Sequence, residues 1–200
     1  KAAVSANVTA QQVIDNYAAA LGGKSKLEAV KTVKTLSTIK VMGMEIEAIT
    51  LEMAPNKSKA VQKIMGQEMV QVFDGEKGYM MQAGQRMDLP APAIEEAKKK
   101  RLFEVLSYNP ADFKTVEKVT EEGKELYLLA GAGKKLYFDT KTNLLVKSTS
   151  DKGDMVILDY MEVDGIKFPK NLKLAMMGQN MEMTNNQVIV NKEVSAEDFK

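Results

Sequence analysis

The sequence predicts an α+β domain, with one large antiparallel sheet and two helices against it. Three observations predict it. Two stretches carry apolar residues at helical spacing, one near the start and one near the middle of the chain. Much of the remainder alternates apolar and polar residues with a period of two. Turn dipeptides such as Asp74-Gly75 and Asp164-Gly165 interrupt that alternation at short intervals. Strands joined by so few residues are antiparallel neighbours.

The first helix opens on a capping box, Thr9 with Gln12, and Val8 and Val13 stand where a hydrophobic staple would be. Val13, Ile14, Tyr17 and Leu21 share one face, and Gly22-Gly23 ends the helix. A second capping box, Ser25 with Glu28, starts a short turn through Leu27 and Val30. From Thr32 the pattern becomes β: Met42, Met44 and Ile46 alternate with Gly43, Glu45 and Glu47. Ala54-Pro55-Asn56-Lys57 reads as a turn. Strands follow over residues 58–65, 68–73, 78–82 and 85–89, the middle pair flanking the Asp74-Gly75 hairpin signal.

Leu89-Pro90-Ala91-Pro92 stops the sheet, and a helix is predicted over residues 93–108. Its apolar stripe is Ile94, Ala97, Leu102, Val105 and Leu106, with Glu95 and Glu96 ahead of Lys98, Lys99, Lys100 and Arg101, the order that suits the helix dipole. Asn109-Pro110 ends it. Strands are then expected over residues 114–119, 125–130, 135–139, 144–150, 155–163, 167–177, 180–184 and 187–191. No linker, low-complexity tract or repeat divides the chain, so residues 1–200 read as a single domain. Residues 1–8 read as a linker or the beginning of a mature chain.

Composition narrows the chemistry. With 44% apolar residues in 200, the chain can build a core. Lys and Arg number 28 against 27 Asp and Glu, which argues against nucleic acid as a partner, because phosphate neutralisation needs a basic excess. No apolar run approaches the about 20 residues of a membrane-spanning helix. Cys, His and Trp are all absent. This chain therefore offers no thiol nucleophile, no imidazole base, no Ser-His-Asp triad and no zinc site of the usual kind. A non-catalytic domain without metal or cofactor is the expectation. Carboxylate-only chemistry would need a facing pair, and adjacent Glu95 and Glu96 point in different directions on a helix. Gly131-Ala132-Gly133-Lys134 lacks the full phosphate-loop pattern. Asp139, Asp151, Asp154 and Asp164 have the turn positions Asp favours. Residues 98–101 read as a solvated helix face, with contact to anionic lipid headgroups as the alternative.

The outstanding feature is methionine, 14 in all. Met suits a strand less well than β-branched or aromatic residues do. It suits an apolar surface that must adapt to varied shapes. The functional reading is an apolar cavity lined by Met42, Met44, Met65, Met69, Met80, Met81, Met87, Met176, Met181 and Met183, with Leu102 and Leu106 from the second helix as its cover. The plainer reading is an ordinary core in which Met is filler.

Several segments carry a resemblance. The stretch from Val13 to Thr32, VIDNYAAALGGKSKLEAVKT, resembles the N-terminal helix of lipoprotein-carrier-like domains exported by Bacteroidetes-type bacteria. Phe73-Asp74-Gly75-Glu76-Lys77-Gly78-Tyr79, Leu136-Tyr137-Phe138-Asp139 and Leu144-Leu145-Val146-Lys147 resemble their central strands. Val163-Asp164-Gly165-Ile166-Lys167-Phe168-Pro169 resembles a late hairpin of that group, and Val190-Asn191 with Phe199 resembles its end. The resemblance implies a curved antiparallel sheet forming an incomplete β-barrel around two or three helices. It implies an exported location, periplasmic or outer-membrane-associated, in a Gram-negative-type envelope. It also implies a partner that is a lipid, a lipoprotein acyl chain or an apolar peptide, with membrane-surface contact as a further expectation. Similar segments close exported insulinase-like zinc peptidases. On that alternative this chain is an accessory C-terminal domain covalently linked to an upstream peptidase, with a structural or substrate-guiding role.

Overall fold

A computed structural model describes residues 4–200. In chain order the elements are β1 (Val4–Ser5), α1 (Ala10–Leu21), α2 (Lys24–Ala29), β2 (Thr32–Val41), β3 (Met44–Met53), β4 (Lys57–Ile64), β5 (Gln67–Phe73), β6 (Gly78–Gln82), β7 (Gln85–Asp88), α3 (Ala91–Lys99), β8 (Thr115–Glu121), β9 (Lys124–Gly131), β10 (Lys134–Asp139), β11 (Leu145–Ser150), β12 (Gly153–Val163), β13 (Ile166–Met176) and β14 (Gln179–Val190). Three 3-10 turns, Glu104–Ser107, Pro110–Asp112 and Ala196–Phe199, complete the inventory. The strands follow one another in the hydrogen-bonded order β1-β8-β9-β10-β11-β12-β13-β14-β2-β3-β4-β5-β6-β7. The fold is α+β, a large antiparallel sheet not closed into a barrel, with a few helices, as expected from the sequence. Of residues 1–8, read as a linker, the first three lie outside the described residues and Val4–Ser5 pairs with β8.

The chain forms two compact units, each assembled from two segments: Lys1–Leu27 with Tyr108–Glu182, and Glu28–Ser107 with Met183–Lys200. In the first, α1 begins as its capping box dictates. The Thr9 N–H donates to Gln12 Oε1 at 2.9 Å, and the Gln12 N–H donates to Thr9 Oγ1 at 3.2 Å. Val13, Ile14, Tyr17, Ala18 and Leu21 are buried. The Tyr17 ring meets Phe138 edge-on at 5.2 Å. Gly22 ends the helix at φ 141°, and a Cβ there would stand 2.7 Å from the Gly165 carbonyl oxygen. Glycine is thus required both by conformation and by the close passage of the β12–β13 turn. Leu129, Leu136, Phe138, Leu145 and Ile166 form the floor, all nearly inaccessible.

In the second unit β2 to β7 form an uninterrupted meander. Residues on opposite sides of each ladder share a sheet face: Ile39 with Ile46, Ser37 with Ala48, Thr35 with Thr50. Asn191 ties the end of β14 to β2. Its Oδ1 accepts from the Lys31 N–H at 2.7 Å and the Thr32 N–H at 3.2 Å. Phe199, on the last 3-10 turn, is 2% exposed.

Three elements differ from expectation. The helix expected over residues 93–108 is α3, Ala91–Lys99, followed by extended backbone and the 3-10 turn at Glu104–Ser107. Arg101 provides the stop: its guanidinium folds back to donate to the carbonyls of Lys98 at 3.2 Å and Lys100 at 2.8 Å, satisfying acceptors a helix end leaves open. The two strands expected over residues 180–184 and 187–191 are one, β14. Met42 does not continue the alternation of Met44 and Ile46, because Met42-Gly43 is the hairpin turn between β2 and β3.

Candidate ligand-binding face

None of the 14 methionines is buried. The core is built from Val, Leu, Ile, Phe, Ala and Tyr instead. Seven are exposed and seven half-buried, so none belongs to the fully buried core.

The ladders sort the methionines of the second unit by face. Met80 and Met87 stand directly opposite each other across β6 and β7. Gln71 faces Met80, and Met69, two residues along, is the diagonal neighbour of Met80 on that same face. Following the registers across β5, β4, β3 and β2 places Phe73, Ala48, Ile46, Ile39 and Met44 on it too. Met69 and Met80 are half-buried, Met44 and Met87 exposed. Met81 belongs to the reverse face with Val70 and Arg86. Met42 and Met65 lie on neither face: both sit in hairpin turns, 75% and 89% exposed. Leu102 and Leu106 flank the buried Phe103 and Val105 in the segment after α3 and are half-buried themselves. Met183 is a half-buried residue of β14. In the first unit Met181 is half-buried and Met176, at the end of β13, is exposed. The methionines of β2 to β7 and their turns thus separate into a face, its reverse and the hairpin turns, while Leu102, Leu106, Met176, Met181 and Met183 lie on other elements.

One ionisable group shares the methionine face. Glu52 pairs with Val33 on one side and Ser58 on the other, in register with Phe73. Burial raises its carboxyl to about 7, and the positive charge of Lys100 offsets part of that rise. In the first unit the Tyr160 hydroxyl donates to the Leu145 carbonyl at 2.7 Å. Burial above all, then the neighbouring Tyr17 and Tyr108, hold its ionisation above the ordinary phenol range. Among the described residues no cluster of His, Cys, Asp and Glu has the makings of a metal site.

The reverse face carries a feature the sequence reading did not contain. Val72, Tyr79, Leu89, Ile94 and Phe199 line a cavity of about 570 Å³. The Arg86 guanidinium lies 3.8 Å over the Tyr79 ring, and the Tyr79 hydroxyl donates to the Lys200 carbonyl at 3.0 Å. Residues 72 and 199 are brought together only by the last 3-10 turn, so no local pattern announces this cavity.

No protein-family model matches the sequence, and no curated protein matches it. Solved structures do. A DUF1329 family protein from Desulfovibrio piger superposes with a TM-score of 0.60 at 8% identity, over 96% of this chain and 97% of that one. A putative outer membrane lipoprotein-sorting protein domain from Vibrio parahaemolyticus gives 0.60, 8%, 96% and 97%. A LolA superfamily protein from Nitrosomonas europaea gives 0.58, 10%, 96% and 98%. The fold is lipoprotein-carrier-like. At such identities the likeness fixes the path of the backbone and carries no side chain across, so what the fold holds must come from the residues of this chain.

Proposed function

We propose that this chain is a non-catalytic binding domain of the cell envelope that shelters an acyl chain of a lipid or lipoprotein, or an apolar peptide, against its methionine face. The observation that carries the reading is the exclusion of every methionine from the core. A chain that fills its buried core with branched and aromatic residues leaves its methionines where an adaptable apolar surface can make contacts. In the second unit the contacts would come from Met44, Met69, Met80 and Met87, with Leu102 and Leu106 on the segment that could cover them. The likeness to a lipoprotein-sorting domain and to a LolA superfamily protein supports an envelope setting and an acyl cargo. Each buried methylene contributes about 0.8 kcal/mol, so one acyl chain would bind without any charged contact.

Titration with a fluorescent fatty acid tests this reading. The wild type should saturate, and Met80→Asp/Met87→Asp should weaken binding at least tenfold while unfolding at a similar temperature. Equal binding by both proteins would remove the methionine face from the account.

A further inference from the structure

The meander of the second unit sorts its turns by polarity. Because β2 to β7 run alternately up and down, the turns at residues 42–43, 65–66 and 83–84 lie at one end, and the connections at residues 54–56 and 74–77 lie at the other. The second end is polar, with Asn56, Asp74, Glu76 and Lys77. The first end carries no charge within any hairpin tip: Val41-Met42-Gly43-Met44, Ile64-Met65-Gly66-Gln67 and Gln82-Ala83-Gly84-Gln85. Charge begins one step down the strands, with Lys40 opposite Glu45, Lys63 opposite Glu68, and Arg86 opposite Met81.

The tips are also in an unfavourable conformation for their residues. Met42, Met65 and Ala83 adopt φ 52°, 50° and 50°, each followed by a glycine at positive φ, as in a type I′ turn. Asn, Asp or Gly suits that first position, and a long unbranched apolar side chain does not. Met65 is 89% exposed and Met42 is 75% exposed. Met177-Gly178 in the first unit repeats the device at φ 51°, with Met177 96% exposed. Strain combined with exposure of an apolar side chain is costly on both counts, and contact with something apolar outside the molecule would offset both.

We infer that this end of the second unit is a membrane-contacting edge, whose methionine tips enter the interfacial layer of a lipid bilayer. Neighbouring hairpins stand roughly 10 Å apart, two strand spacings. Each therefore offers one apolar side chain at its apex, Met42, Met65 or Ala83, with Met44 beside the first, rather than the contiguous apolar core of a protein interface. A fluid bilayer closes around isolated tips where a rigid partner would leave gaps. The band one residue behind them, three cations and two carboxylates, suits the headgroup layer, where Lys and Arg extend toward phosphate while their stems stay apolar. Its near-neutrality assigns the contact to thioether burial rather than to attraction by anionic lipid. The edge meets the methionine face at Met44, but Met42 and Met65 belong to neither face of the sheet, and the inference stands whether or not that face holds cargo.

Co-sedimentation with phosphatidylcholine vesicles tests it. The wild type should pellet with vesicles, and should still do so in about 0.5 M salt, where the Debye length is a few Å. Met42→Asn/Met65→Asn should lose at least tenfold in partitioning. Asn-Gly is the preferred type I′ pair, so this variant should melt no lower than the wild type, which separates lost contact from lost folding. Its affinity for a fluorescent fatty acid should be unchanged, so failure of the edge and failure of the cargo reading are told apart. A wild type that stays in the supernatant overturns the inference, as does a variant that pellets equally. Concentration-dependent self-association of the wild type without vesicle binding, abolished in the variant, would overturn it in favour of a second copy of this chain.

Discussion

At the scale of single residues, composition and position carried different information. The methionine count pointed to an unusual surface, and none of the 14 side chains is fully buried. Their distribution was not legible. Met42 reads as the first member of an alternation with Met44, yet it occupies a left-handed turn position that turn chemistry reserves for Asn or Asp. Nor could the sequence single out Glu52 from 27 acidic residues, since its character comes from burial on a shared face. Its raised carboxyl gives a signed prediction. The native state binds that proton more tightly than the unfolded chain does, so Glu52 makes stability fall as pH rises from about 4.5 to about 7. The loss should be about 3–4 kcal/mol, since one pKa unit is worth about 1.4 kcal/mol. Glu52→Gln should flatten that part of the curve in urea unfolding at pH 5 and pH 8; an unchanged slope would assign the dependence to other groups. Gly22→Ala should cost about 1–3 kcal/mol in the same assay, because the new methyl meets the Gly165 carbonyl at a φ that alanine avoids.

At the scale of elements, the helix starts and most turns were readable, because capping boxes and turn dipeptides act through local hydrogen bonds. The failures come from contacts distant in sequence or folded back on the chain. Asn185-Asn186 looks like a break between two strands. In β14 those side chains are cross-strand partners instead: the Ser37 hydroxyl donates to Asn185 Oδ1 at 2.7 Å, and the Asn186 amide donates to Thr38 Oγ1 at 2.8 Å. Asn185→Ala should therefore destabilise by about 1–2 kcal/mol, since it strips a partner from buried Ser37. Thermal unfolding checks this, and a neutral substitution would show that water replaces the amide. The second helix reads too long because its apolar spacing persists past Lys99, while Arg101 satisfies the carbonyls that a further turn would have bonded.

At the scale of the whole molecule, strand-and-turn rhythm was enough to expect a large open antiparallel sheet, and structures of the same fold at 8–10% identity show how weakly that architecture depends on particular residues. The division into two compact units was not readable, because each unit joins segments separated by 75 or 80 residues of chain. The proposed function gives cargo contact to the methionine face of the second unit, and methyl NMR of the protein labelled at the methionine ε-carbon reports each methionine separately. On adding palmitate, the account predicts large shifts for Met44, Met69, Met80 and Met87, with Met42 and Met65 unmoved. Palmitate shifts confined to other methionines, or absent altogether, would contradict it.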